Sequence, residues 1–331
     1  VALNKKIAVL AIDKQTSFGT LAANRKYGLA LRGGDILNPG LDQAYEELTI
    51  ATRVPPAAYR SGFLWVVDVT SRAWARSVVM LLENALGSRV TTGAADPFLH
   101  TITNTAAAPG YLTAATRLDT EYHKIRDCRV DQLSFSWDQA EPIEMGCRLM
   151  GTTATLYTTS GDPTTDDSLQ QSFFPAGGTF ALDSDSTTPV TADITGGSIT
   201  INNHLEPVRV SRQLEPIDVW PGWQEITVVL RVIPTNTVLW RSVVTGSDAG
   251  SAVGNVPVYG SFHTLWTITA GTRDLDFAAT RMPWTPGAYP NPTPAGGPAE
   301  IELTATVVDT TPNAFTALVH NQEAATNYTG S

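Results

Sequence analysis

The strictest constraint in this chain is the alternation of its side chains. Between Val130 and Trp137, the apolar Leu133, Phe135 and Trp137 interleave with Gln132, Ser134 and Ser136. After a polar break from Asp138 to Pro142, the period resumes with Ile143, Met145, Cys147 and Leu149. Side chains along a strand point to opposite faces in turn, so two such runs around a short turn predict a hairpin with one buried face. Traced back from the turn, Cys147 falls nearer Ser134 than Cys128, and no disulfide between the two cysteines is expected.

The second half has the same grammar. Ile199 and Ile201 alternate with Ser198, Thr200 and Asn202; a long connection runs from Asn203 to Trp223; Ile226, Val228, Leu230 and Val232 then restore the period. Phe262 to Ile268 and Ile301 to Val308 read as further strands. The 26 glycines and 21 prolines punctuate these runs as a mainly β chain requires. One amphipathic helix is expected over 71–86. Thr70 or Ser71 caps it, Trp74, Val78, Leu81, Leu82 and Ala85 form its apolar stripe, and Gly87 ends it. A shorter helix is expected from Thr311-Pro312, turning Phe315, Leu318 and Val319 inward.

The polar stretch Thr158 to Ser168 lies almost midway and reads as a linker. It divides the chain into a first domain with an N-terminal arm, 1–160, and a second domain, 168–331. The recurring hairpins suggest a tandem duplication.

Composition narrows function by exclusion. The net charge is −10, with five lysines and no basic cluster longer than two residues. Tight nucleic-acid binding needs clustered cations to displace counterions, and this chain has none. Charged residues make up only 16% of the chain, below the quarter usual for a free domain, as if part of the surface were hidden in an assembly. No apolar run approaches the ~20 residues of a membrane helix, and Ile7 to Ile12 is too short for a signal peptide core. The expected site of synthesis is the cytoplasm.

No constellation for chemistry emerges. The histidines at 100, 123, 204, 263 and 320 lack metal-ligand spacing, and no nucleophile elbow or phosphate loop is present. Asp183-Ser184-Asp185-Ser186-Thr187 resembles a phosphatase nucleophile motif. That chemistry needs a downstream lysine, and the last lysine is Lys124. A turn is the better reading, and no catalytic residue, metal or cofactor is expected. Asn327-Tyr328-Thr329 is a formal glycosylation sequon without meaning in a cytoplasmic product. Most of the eight tryptophans sit inside apolar runs; Trp220 and Trp223 mark a loop expected to dock on a neighbour.

The order of elements carries a resemblance. A strand at Leu64 to Val69, the helix, the Tyr122–Trp137 strand and the Pro142–Gly151 return are followed by Gly197–Asn203, Leu205–Pro207 and Trp223–Thr227. Together they resemble the tail tube (major tail) proteins of long-tailed, siphovirus-type bacteriophages, over about residues 8 to 322. The long connection from Leu205 to Trp223 departs from the family pattern and is expected to contact another subunit or ring.

The resemblance implies a tail-tube β-sandwich or barrel whose hairpins join those of neighbours around a lumen. It implies stacked rings of this chain, DNA in transit only, contacts with tail tip, tape measure and tail terminator proteins, and residence in the virion tail. Strand alternation then assigns Gln132, Ser134, Ser136, Glu144, Ser198, Thr200, Glu225 and Thr227 to the lumen. Rings of this family present six domains, so two tube domains per chain imply a trimeric, pseudo-sixfold ring and one per chain a hexamer; the near-central linker favours the trimer. A carbohydrate-binding β-sandwich module of a secreted protein is the alternative.

Overall fold

The computed structural model describes residues 8–23, 27–45, 58–105, 108–118, 121–139, 141–156, 171–183, 189–211, 213–235, 238–255, 257–268, 273–288, 299–308 and 314–330. The chain opens with β1 (Ala8–Lys14), β2 (Tyr27–Gly28), β3 (Ala30–Asn38), the pair β4 (Leu41–Tyr45) and β5 (Ala58–Phe63), and β6 (Trp65–Arg72). Helix α1 (Ala75–Leu86) leads to β7 (Gly87–Thr92), β8 (Phe98–Asn104), β9 (Leu112–Leu118) and the long β10 (Glu121–Asp138). Next come β11 (Glu144–Gly151), β12 (Thr153–Thr155), β13 (Phe174–Asp183), β14 (Val190–Asn202) and the short pair β15 (Glu206–Val208) and β16 (Asp218–Trp220). The remainder is β17 (Glu225–Pro234), α2 (Val238–Thr245), β18 (Tyr259–Ile268), β19 (Arg273–Pro286), β20 (Ile301–Thr306), β21 (Phe315–Asn321) and a closing 3-10 turn, Ala325–Tyr328.

Apart from the β4–β5 and β15–β16 pairs, all strands hydrogen-bond into one closed sheet. The expected hairpin is present, with Phe135 opposite Met145 and Leu133 opposite Cys147. Period-two burial follows the sequence: Leu133, Phe135, Met145, Ile199, Val228 and Leu230 are wholly buried. They join one core that runs without a break from Leu10 to Tyr328. Both cysteines are free and buried.

Two helix expectations need correction. Thr70 and Ser71 belong to β6, and α1 starts only after Trp74, which supplies no side-chain cap. β6 continues to Arg72 because it pairs with β11 through Arg72 opposite Glu144, and ladder bonds outweigh a single cap. At the other end Gly87 adopts φ 102°, the left-handed stop expected. Phe315, Leu318 and Val319 lie on a strand, β21, and not on a helix. The segment Phe315–Asn321 buries Phe315, Ala317, Val319 and Asn321 with period two between β19 and β8. Thr311-Pro312 and the linker Thr158 to Ser168 lie outside the described residues. Helix α2 follows β17 and had no sequence expectation.

The strand order β3–β6–β11–β10 continues directly as β14–β17–β20–β19. Each set is drawn from the chain in one pattern. A first strand leads through a two-stranded pair (β4–β5 or β15–β16) to a second strand, which runs into a helix (α1 or α2), and two further strands complete the set. Outside each set the parallels hold: β1 pairs β9, which pairs the start of β10, while β13 pairs β18, which pairs the start of β19. One irregularity matches, while a second in β3, between Asp35 and Asn38, has no counterpart in β14. A bulge separates Leu31 from Gly33 in β3, and another separates Ile194 from Gly196 in β14. A Cβ on Gly34 would lie 2.3 Å from the Asp68 carbonyl oxygen, and one on Gly197 would lie 2.2 Å from that of Val229. Only glycine fits either place.

Candidate functional site

The eight residues assigned by alternation come together on one face of the β6–β11–β10–β14–β17–β20 sheet. Ser134 stands opposite Gly146 on one side and Thr200 on the other, and Thr200 stands opposite Thr227. Thr70 and Thr306 extend this row at its two ends. A second row runs from Arg72 through Glu144, Ser136 and Ser198 to Val229, and a third joins Gln132, Asn202 and Glu225. The middle row therefore carries only hydroxyls and a glycine. Thr70, Arg72, Arg148, Arg231 and Thr306 share the face without having been singled out from sequence; the alternation in 65–72, 144–151, 225–234 and 301–306 would have found them.

Charge is absent from the middle row and lies in the rows on either side of it. Five carboxylates (Asp68, Asp138, Glu144, Glu225, Glu302) outnumber three guanidinium groups on the face. The arginines are held by acids: Arg231 lies 3.2 Å from Asp138, Arg148 3.4 Å from Asp131 and Arg72 4.0 Å from Glu141. Arg32 of β3 pairs with Glu144. A hydrogen bond from the Gln139 N–H and the Arg231 charge hold the Asp138 carboxyl below the usual range, so it stays ionised. The result is a polar, net acidic face on which each cation has an acidic neighbour. At its Asp138 end lies a shallow depression of about 630 Å³, floored by Trp137 and Gly197.

The Trp220 and Trp223 loop sits at the opposite end, where β14 ends and β17 begins. Both indoles are exposed, 60% and 63%. Trp223 stacks on His204 at 4.7 Å and 12°, and His204 lies 3.2 Å from Glu225. The roots of the loop are firmly tied. Asn203 donates to the carbonyls of Ala85 and Val130, and Gln224 donates to Ala85, occupying a helix-end carbonyl that has no partner inside α1. Asp131, buried beside a β10 bulge, accepts from the Leu205 N–H. Of the other tryptophans, Trp65, Trp137, Trp266 and Trp284 are buried, and Trp74 and Trp240 are half-buried.

Elsewhere titratable groups stand in pairs. His263 meets Asp276, His320 meets Asp274, and His100 is buried between Thr91 and Asn321. Among the described residues no set of three His, Cys, Asp or Glu side chains is placed to hold a metal. Burial pushes the Cys147 thiol up to about 12 and Cys128 higher still, which keeps both protonated and unreactive. Asp183 ends β13, and Ser184 to Thr187 lie outside the described residues. Among the described residues no helix is long and apolar enough to cross a membrane.

A family model described as phage tail tube protein matches residues 65–308, and no curated protein matches the chain. The match starts at the first residue of β6 and ends just past β20, so it covers all six strands of the polar face. The chain belongs to the phage tail tube protein family, a structural component of the virion tail.

Proposed function

We propose that this chain polymerises into stacked rings, that the polar face lines the bore, and that DNA passes through it during infection. The observation that carries this reading is the continuous row Thr70–Gly146–Ser134–Thr200–Thr227–Thr306, flanked by arginines already held by carboxylates. DNA binds protein by exchanging counterions for free cations, and a wall without free cations lets it slide. The role is geometric, with no turnover. The tail tip, tape measure and tail terminator proteins are the expected partners at the ends of the polymer, after synthesis in the host cytoplasm.

The matching strand order supports two tandem tube units, one before and one after the 158–168 linker, and hence a ring of three chains. The register supplies a numerical check. A cross-strand row from Gly34 passes Val69, Cys147 and Leu133 and arrives at Ile201. The counterpart of Gly34 is Gly197, so each unit of four strands staggers the register by four residues. Strands ~4.8 Å apart with a rise of ~3.3 Å per residue then tilt about 35°, within the range of closed barrels. Six such units, about 24 strands, close at a backbone diameter of ~45 Å, wide enough for a DNA duplex. Six chains of two units each would double that diameter.

Electron cryo-microscopy of the purified, polymerised protein tests the proposal. Tubes with threefold symmetry and six similar domains per ring are expected. Six chains per ring would remove the trimer, and a bore lined by other faces would remove the lumen assignment.

A further inference from the structure

Two features belong to one unit each, and they meet. Among the described residues α2 leads directly to β18, the counterpart of β9, whereas β7 and β8 stand between α1 and β9. The start of β10 is flanked by the three-residue β12, but the start of β19 is flanked by the seven-residue β21. That longer strand reaches the insertion: Leu275 of β19 stands opposite Val319, and Val319 stands opposite His100 of β8. The outer layer of the second unit is thereby joined to the first.

The residues after β21 fasten the join to α1. Asn321, wholly buried, donates to the Ala75 carbonyl at 2.8 Å, and its Oδ1 lies 2.9 Å from His100 Nε2. The Tyr328 hydroxyl donates to the Arg76 carbonyl at 3.0 Å, and its ring stacks on Tyr27 of β2 at 5.2 Å and 17°. Arg76 in turn meets Glu323 at 2.6 Å, with both side chains 7% exposed. The second unit therefore grips β2, α1 and β8 of the first through buried groups.

We infer that β8, β21 and the segment 321–330 form a brace that fixes the angle between the two units, and through it the number of chains that close a ring. This rests on the tube reading with two units per chain. The units are already joined in the polar sheet, where β10 pairs with β14 from Gln132 to Asp138. A ladder alone is a loose joint, because neighbouring strands adopt relative twists of about 10 to 35°. A closed ring of six units turns about 60° per unit and one of eight about 45°, so only ~15° separates three chains from four. The freedom of a single ladder covers that difference. A second tie in the layer ~10 Å behind it, with ordinary thermal play of about 0.5 Å, leaves only ~3°. The brace supplies such a tie within each chain, before any neighbour arrives.

Spin labels on the unassembled full-length chain test the angle. Asp35→Cys on β3 and Thr179→Cys on β13 place one label on each unit at exposed sites, while Cys128 and Cys147 are buried. One narrow distance is expected in this background. Adding Asn321→Ala, which removes the ties to Ala75, His100 and Tyr328, should broaden the distribution at least twofold. Without labels, the same variant should form rings of more than one size in electron micrographs. Equal widths, or uniform three-chain rings from the variant, overturn the brace and leave the tube reading standing. Failure of the unmodified chain to form any ring overturns the tube reading and the ring-size role with it. If Asn321→Ala does not fold, hydrogen exchange on the unmodified, unassembled chain decides. Amides across 316–321 should then match those across 198–202 within tenfold, and exchange a hundredfold faster overturns the brace.

Discussion

Trp137 packs against Trp266 with ring centroids 5.2 Å apart, joining the first half of the chain to the second inside one core. Phe135 and Phe277 complete the cluster, and Trp137 also covers the backbone of Gly197. Trp137→Ala is expected to cost about 3 to 5 kcal/mol, because truncating a large core aromatic removes its transfer energy and leaves a cavity. Denaturant unfolding measures this. An unchanged midpoint combined with lost assembly would make Trp137 an interface residue and reverse the face assignment.

Asn203→Ala should loosen the tryptophan loop from the body of the protein. The change strips the Val130 carbonyl of a 2.9 Å donor and leaves Ala85 with Gln224 alone. A buried acceptor left without its partner costs about 1 to 3 kcal/mol. Faster amide exchange at Leu205 and Gly222, next to the ties, is the expected local signature. Equal exchange in both proteins would show that the loop is held by other contacts.

Stability should fall on mild acidification. Burial holds the His100 pKa below 6.5, with the nearby Arg89 charge adding to the effect, and burial acts on His123 in the same direction. A histidine whose folded pKa is depressed contributes its full stability above pH 6.5 and loses it as pH falls toward the folded value, since the unfolded chain then binds more protons. Urea midpoints should therefore drop between about pH 7 and pH 5.5, and less so in His100→Gln. A flat profile in the parent protein would refute this.

A basic bore should grip DNA. Ser134→Lys, Thr200→Lys and Thr227→Lys together place three cations in one cross-strand row without touching the core. Retention of duplex DNA by the assembled variant should become salt-dependent, with a log–log slope of about −0.9 for each phosphate contacted. The parent tube should retain none. Equal retention by the two would place this row outside the lumen.

What sequence determined and what it left open divide along the range of the forces involved. Alternation in 130–149, 198–202 and 226–232 was enough to say which side chains point inward, because period two is a property of the strand itself. The stop at Gly87 was equally local, since only a residue free of Cβ strain takes φ 102° readily. The start of α1 was not, because Thr70 and Ser71 are good caps whose backbone is claimed by a distant strand, β11. Phe315, Leu318 and Val319 fit a short helix as well as a strand, and the edges of β19 and β8 decided between them. The glycine pairs 33–34 and 196–197 were visible as letters, yet their equivalence emerged only when ladders showed each pair beside a bulge at the same place in the same strand order. Local preference chose the face of each strand; long-range hydrogen bonding chose its neighbours.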